Sequence, residues 1–85
     1  MVKAVDFRNE LNSIFHESEK RGLKVIEIRS GDLHTKLGDY PGRNHSMPTC
    51  CSVMRSMIKE SDQVIQSPPR GNGANLVIRY CLPRT

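Results

Sequence analysis

The chain has 85 residues, of which 36% are hydrophobic, so it can bury one modest core and leaves little room for a deep pocket. Its formal charge is +4, and the excess is unevenly placed: residues 1–42 hold seven basic and seven acidic residues, whereas residues 43–85 hold six basic and two acidic ones. Such a basic half favours a polyanionic partner, although it could also serve only solubility. We treat residues 1–85 as a single domain.

The cysteines and the amino terminus indicate the compartment. The three cysteines, an odd number, include the adjacent pair Cys50 and Cys51, which is poorly suited to closing a disulfide. The first residues carry no apolar signal segment, and no apolar run approaches membrane-spanning length. We therefore expect a cytoplasmic protein that does not enter the membrane.

The first half of the chain predicts a helix, a strand and a second helix. Helical spacing of apolar residues predicts the first helix over residues 6–21, with Asp6 as its N-cap and Gly22 as the residue that ends it. The β-branched residues of segment 23–29 predict a short strand. A second short helix is expected from an N-cap at Ser30 to Gly38, and the polar residues 39–46 predict a loop.

The second half predicts a third helix and a hairpin. Residues 46–60 have a capping Ser46, Pro48 in the first turn and an apolar stripe. That stripe is expected to contain Met47, Cys50 or Cys51, Met54, Met57 and Ile58. The opposite face carries Thr49, Ser52, Arg55, Ser56 and Lys59. Residues 62–67 and 75–82 then predict two strands, joined by a loop rich in glycine and proline; in the second strand apolar residues alternate from Leu76 to Leu82.

The order helix, strand, helix, helix, strand, strand resembles the winged helix-turn-helix superfamily. The local match is strongest over residues 25–38, VIEIRSGDLHTKLG, where a strand leads through a serine into a short helix that ends in Leu-Gly. The resemblance implies a small α+β winged-helix domain with three helices and a C-terminal β-hairpin wing. The connection between the second and third helices is longer than in a compact helix-turn-helix.

The resemblance also implies a DNA-binding protein, for example a transcriptional regulator or an accessory DNA-binding factor, with duplex DNA as partner. The helix from Ser46 would enter the major groove, and the wing, residues 68–75, would lie on the backbone. The implied contacts come from three segments. On the third helix they are Thr49, Ser52, Arg55, Ser56 and Lys59. In the wing they are Arg70 and Asn72. In the loop before the third helix they are Arg43, Asn44 and His45.

Other functions have weaker support in these residues. The polar face of the third helix is also what any amphipathic helix shows. His34, His45 and the cysteines lack the spacing of a zinc site, and a His45–Cys50 nucleophile would lack an orienting acid. We therefore expect no enzymatic activity, cofactor, metal or small-molecule ligand. A winged-helix module that binds protein instead of DNA is the alternative, and a homodimer is left open.

Overall fold

The computed structural model describes residues 3–38, 46–69 and 73–84. Within these ranges the chain forms three helices and three strands, in the predicted order. They are α1 (Ala4–Lys20), β1 (Val25–Arg29), α2 (Ser30–Leu37), α3 (Met47–Ser56), β2 (Gln63–Gln66) and β3 (Val77–Cys81). The chain is therefore a small α+β protein.

All three strands pair in one antiparallel sheet, in the order β1-β3-β2. The predicted C-terminal hairpin is present, because β2 pairs antiparallel with β3. The prediction gave β1 no partner, and this was incomplete: β1 also pairs with β3, from Val25 opposite Cys81 to Arg29 opposite Val77. This register places Ile28 opposite Ile78, so the buried residues of both strands lie on the same face. One face of the sheet thus covers the helices.

The alternation predicted for the last strand is confirmed. Leu76, Ile78 and Tyr80 are fully buried, and Arg79 between them is exposed. The Tyr80 hydroxyl donates to the carbonyl of Met54 over 2.8 Å, which satisfies a polar group inside the core. β3 therefore joins the sheet to α3 directly.

The start of α1 differs from its prediction, whereas its end agrees with it. The helix begins at Ala4, and Asp6 is not the N-cap; its carboxylate accepts the backbone N–H of Lys3 over 2.8 Å from within the first turn. Gly22 follows the helix with a φ of 78°, as expected for a residue that ends a helix. The predicted stripe buries Phe7, Leu11 and Phe15, which pack against the rest of the core.

α2 begins differently from its prediction. Ser30 is the first helical residue and Arg29 is the N-cap, so the expected serine cap was wrong. The backbone N–H groups of Ser30 and Gly31 donate to the carbonyls of Leu76 and Ala74, over 2.8 and 3.0 Å. Those carbonyls take the place of a capping side chain. Gly38 ends the helix with a φ of 91°, as predicted.

α3 is shorter than the predicted helix over residues 46–60, because the chain turns at Met57. Beyond the turn, the N–H of Lys59 donates to the Asp62 carboxylate over 2.7 Å, and the N–H of Asp62 donates back to the Lys59 carbonyl over 2.9 Å. These two hydrogen bonds close a turn over residues 59–62, and the chain leaves the helix before the predicted end at residue 60. Cys50 and Cys51 are both buried, although the predicted stripe needed only one of them.

Asp62 and Arg84 form a buried ion pair behind this turn. The Arg84 side chain is 10% exposed and that of Asp62 is 0% exposed, and their charged atoms lie 2.7 Å apart. The guanidinium also donates to the carbonyls of Met57 and Cys81, and it lies 4.9 Å from the ring centre of Phe15 and 5.1 Å from that of Tyr80. The end of the described chain is thereby fastened to α1, to the turn after α3 and to the sheet.

Candidate nucleic-acid interface

The solvent-facing surface of α3 is narrow. Cys50, Cys51 and Met54 are fully buried, and Val53 is nearly so. The side exposed to solvent is left to Pro48, Ser52 and Ser56, with Thr49 and Arg55 half-buried at its borders. Because small hydroxyl side chains occupy most of this strip, another molecule can approach the helix closely.

This strip forms one wall of a shallow groove of about 440 Å³, which we name the α1–α3 groove. Its other wall is the beginning of α1. The lining residues are Ala4, Arg8, Pro48, Thr49, Ser52, Val53 and Ser56. Three of the five residues predicted on the third helix, Thr49, Ser52 and Ser56, therefore lie together. Among the described residues, the lining contains one cation and no carboxylate.

Arg8 is a member of this groove that was not among the contacts predicted from the sequence. Its side chain is exposed. Ala4 and Arg8 lie one turn apart on α1, which places them on one side of that helix, but only the packing of α1 on α3 shows that this side adjoins Ser52. A one-dimensional pattern does not contain that information.

The two basic residues predicted on the third helix are not brought to the groove. Arg55 is half-buried, does not line the groove and already takes part in an interaction within the protein. Lys59 lies beyond the end of α3 and lines a separate cavity of about 250 Å³ beside Arg84. The expected pair of basic residues one turn apart on one helical face was therefore wrong, since the helix ends between them.

Ser56 has less hydrogen-bonding capacity than its position suggests. Its hydroxyl donates to the carbonyl of Val53 over 2.7 Å, so the proton is already used within α3. By contrast, the hydroxyls of Thr49 and Ser52 make no hydrogen bond within the described ranges. These two are the hydroxyls best able to donate to a ligand in the groove.

The part of the predicted wing that the structure describes is held against the helices. The carbonyl of Gly73 accepts the Ser30 hydroxyl over 2.6 Å and the Cys51 thiol over 3.3 Å. The Gly73 N–H lies 3.5 Å from the same sulfur, and Pro68 at the other side of the loop is buried. The carboxyl-terminal side of this loop is thus bonded to both α2 and α3.

The His34 side chain hydrogen-bonds to the residues on either side of the connection between α2 and α3, Gly38 and Ser46. Its Nε2 accepts the backbone N–H of Ser46 over 2.8 Å, so the ring carries its proton on Nδ1, 3.0 Å from the carbonyl of Gly38. The ring is fully buried and lies edge-on to Phe7, with 5.0 Å between the ring centres. His34 has this structural role in place of the metal-binding role considered from the sequence.

Five of the predicted DNA contacts lie outside the described residues. They are Arg43, Asn44, His45, Arg70 and Asn72. The structure therefore places only the members of the predicted site that lie between Thr49 and Lys59. The DNA contacts predicted for the other five residues stay predictions.

The buried cysteines have no accessible reactive surface. Burial, and secondarily the neighbouring Cys51, raises the pKa of the Cys50 thiol from 9.0 to about 12, which keeps it protonated. The Cys51 sulfur is occupied by the two contacts with Gly73. Over residues 3–38, 46–69 and 73–84, no three side chains of His, Cys, Asp or Glu are placed to hold a metal ion.

In the same part of the chain, no helix is both long enough and apolar enough to cross a membrane. Comparison of the chain with protein-family models, with curated proteins and with solved structures found no match.

Proposed function

We propose that this chain is a winged-helix domain that binds duplex DNA, with the exposed strip of α3 as its central contact. The order of the six elements and the strand order β1-β3-β2 support the winged-helix interpretation. The last two strands and the loop between them correspond to the wing. By the same resemblance, α3 is the helix that enters the major groove.

The observation that carries the proposal is the composition of the α1–α3 groove. The open side of α3 presents the hydroxyls of Thr49 and Ser52 beside the guanidinium of Arg8, and none of the described lining residues is acidic. Hydroxyl and guanidinium donors are the groups that contact DNA phosphates and base edges. The basic excess of residues 43–85 would add long-range attraction to the same partner.

A carboxylate introduced at the centre of the strip tests the proposal. In a fluorescence anisotropy titration with mixed-sequence duplex DNA at low salt, we expect Ser52→Glu to weaken binding by about tenfold or more, because a carboxylate would face phosphates. Ser13→Glu is the matched control. Ser13 is also exposed, and it lines a different groove, between α1 and α2.

The control variant should bind as the unmodified protein does, and both variants should keep its circular dichroism spectrum. If the unmodified protein shows no salt-sensitive binding to any duplex at low salt, the proposal is wrong. Equal weakening by the two variants would place the contact surface elsewhere.

The edge strand β2 favours a second candidate, a module that binds an extended peptide. Val64 and Ile65 are each 44% exposed, and among the described strands β2 pairs only with β3. An uncharged edge strand can accept a further strand through its backbone. An NMR titration separates the two candidates. Duplex DNA should shift the amides of Thr49, Ser52 and Gly73 under the first proposal, whereas a peptide partner should shift those of β2.

A further inference from the structure

Arg8 differs from the arginines that have structural partners. Arg29, Arg79 and Arg84 each form an ion pair with a carboxylate, over 3.0, 2.9 and 2.7 Å. Within the described ranges Arg8 makes no ion pair and no side-chain hydrogen bond. A guanidinium has five donors in a planar fork, so its full capacity is available at the wall of the groove.

The dimensions of the groove suit a strand more than a single small anion. Its α3 wall extends from Pro48 to Ser56, a rise of about 12 Å along the helix. One DNA strand carries a phosphate about every 3.4 Å of helix axis, so this wall can follow more than one phosphate. The groove is shallow, which would leave room for a polymer to lie in it.

The chemistry along the two walls is that of phosphate contact. A guanidinium pairs two phosphate oxygens at once, in a geometry that a lysine cannot match. Thr49 and Ser52 supply hydroxyl donors on the facing wall. Among the described residues, the lining contains no carboxylate that could pair with a basic ligand, so its chemistry favours an anionic one.

We propose that the α1–α3 groove holds one sugar–phosphate strand of duplex DNA, with the Arg8 guanidinium paired to a phosphate. This inference rests on the proposed DNA-binding function and names a contact outside α3 and the wing. Arg8 is then a positioning contact, which adds affinity for every sequence and selects none. The Thr49 and Ser52 hydroxyls donate to the same strand.

The test compares Arg8→Gln with Arg21→Gln. Both substitutions remove one positive charge from the region of α1, but Arg21 lines the other groove, together with Glu17 and Lys36. The unmodified protein and both variants are titrated with two duplexes of unrelated sequence at several salt concentrations. A variant that has lost one phosphate contact shows a slope of log affinity against log salt that is shallower by about 0.9.

We expect that change of slope for Arg8→Gln, equally on both duplexes. Between about 50 and 200 mM salt, the affinity ratio of the unmodified protein to Arg8→Gln should accordingly shrink by about threefold. Arg21→Gln should retain the original slope, and Arg8→Lys should restore it while recovering only part of the affinity. Together these results would support the inference.

Two results separate this inference from the proposed function. If the unmodified protein binds DNA and Arg8→Gln behaves as Arg21→Gln does, the groove does not hold the strand, while DNA binding stands. If neither duplex binds, both proposals fail. A polyglutamate peptide is titrated separately, without DNA. Peptide binding that is lost in Arg8→Gln, together with DNA binding that Arg8→Gln leaves unchanged, would assign the groove to acidic peptides and overturn the inference.

Discussion

The Arg84 side chain lies where α1, the turn after α3 and the end of the sheet meet. It pairs with Asp62 through both carboxylate oxygens, over 2.8 and 2.7 Å, and its backbone N–H donates to Glu19 of α1 over 3.2 Å. Asp62 in turn accepts the N–H of Cys81 over 2.8 Å. Removing either charge would leave the other buried without its counterion.

We expect Arg84→Ala to lower the free energy of unfolding by about 3–5 kcal/mol, the usual cost of breaking a buried ion pair at one end. Urea denaturation measures it. Arg79→Ala is the matched control, because the Arg79–Glu27 pair is 44% and 48% exposed and should be worth about 0–1 kcal/mol. Equal losses for the two variants would contradict the structural role of Arg84.

The lowered pKa of Asp62 predicts how the stability of the fold depends on pH. Burial alone would raise the pKa of its carboxyl, but the hydrogen bonds from the Cys81 N–H, the Arg84 guanidinium and the Lys59 N–H outweigh burial and hold that pKa below 3.8. The folded protein therefore favours the ionised carboxylate. Its contribution to stability is present above pH 3.8 and is lost as the pH falls through the lowered value.

Urea denaturation across this acid range measures the effect. The free energy of unfolding should fall more steeply with decreasing pH in the unmodified protein than in Asp62→Asn, which has no proton to bind at this position. Parallel pH profiles would show that Asp62 does not titrate differently in the folded and unfolded chains.

At the scale of elements, local chemistry predicted the ends of α1 and α2 better than their beginnings, whereas for α3 the N-cap at Ser46 agreed with the prediction and the end did not. Gly22 and Gly38 end their helices as expected, because a residue with positive φ favours glycine whatever surrounds it. Ser30 had the sequence of an N-cap, yet its hydroxyl donates to Gly73, 43 residues away. That partner is brought by the fold, so no local pattern could have shown it.

The same junction makes a prediction for Gly31. A Cβ there would meet the Cβ and carbonyl oxygen of Ala74 at 2.9 and 3.0 Å, and the Arg29 guanidinium at 2.8 Å. Alanine favours the helix over glycine by about 1 kcal/mol, but we expect the steric clash of its Cβ to cost more than this gain. We expect Gly31→Ala to destabilise the protein by about 1–3 kcal/mol in thermal or urea unfolding.

The pair of substitutions Gly31→Ala and Ala74→Gly supplies the control. Together they remove the Cβ–Cβ contact and leave the carbonyl contact, so part of the lost stability should return. A stabilising effect of Gly31→Ala alone would show that the loop from Gly73 to Leu76 is not held closely against α2.

At the scale of the whole molecule, apolar periodicity predicted the class and order of the elements, because periods of 3.6 and 2 residues follow directly from side-chain burial. It did not predict that β1 pairs with β3, since several partners would bury Ile28 equally well. The candidate site likewise has a part that local periodicity predicted and a part that depends on tertiary packing. Thr49 and Ser52 were predicted from one helix, whereas Arg8 depends on how two helices pack.

The central position of β3 has a consequence for how the protein reaches this fold. The Arg79–Glu27 contact joins residues 52 positions apart, and β3 separates the two outer strands. A nascent chain therefore exposes β1 with no strand to pair with until residues 77–81 have emerged. The helices, whose hydrogen bonds are local, can form earlier. We expect closure of the sheet to be the slow step, because the entropy of closing this long loop is lost before the contacts between β1 and β3 can offset it.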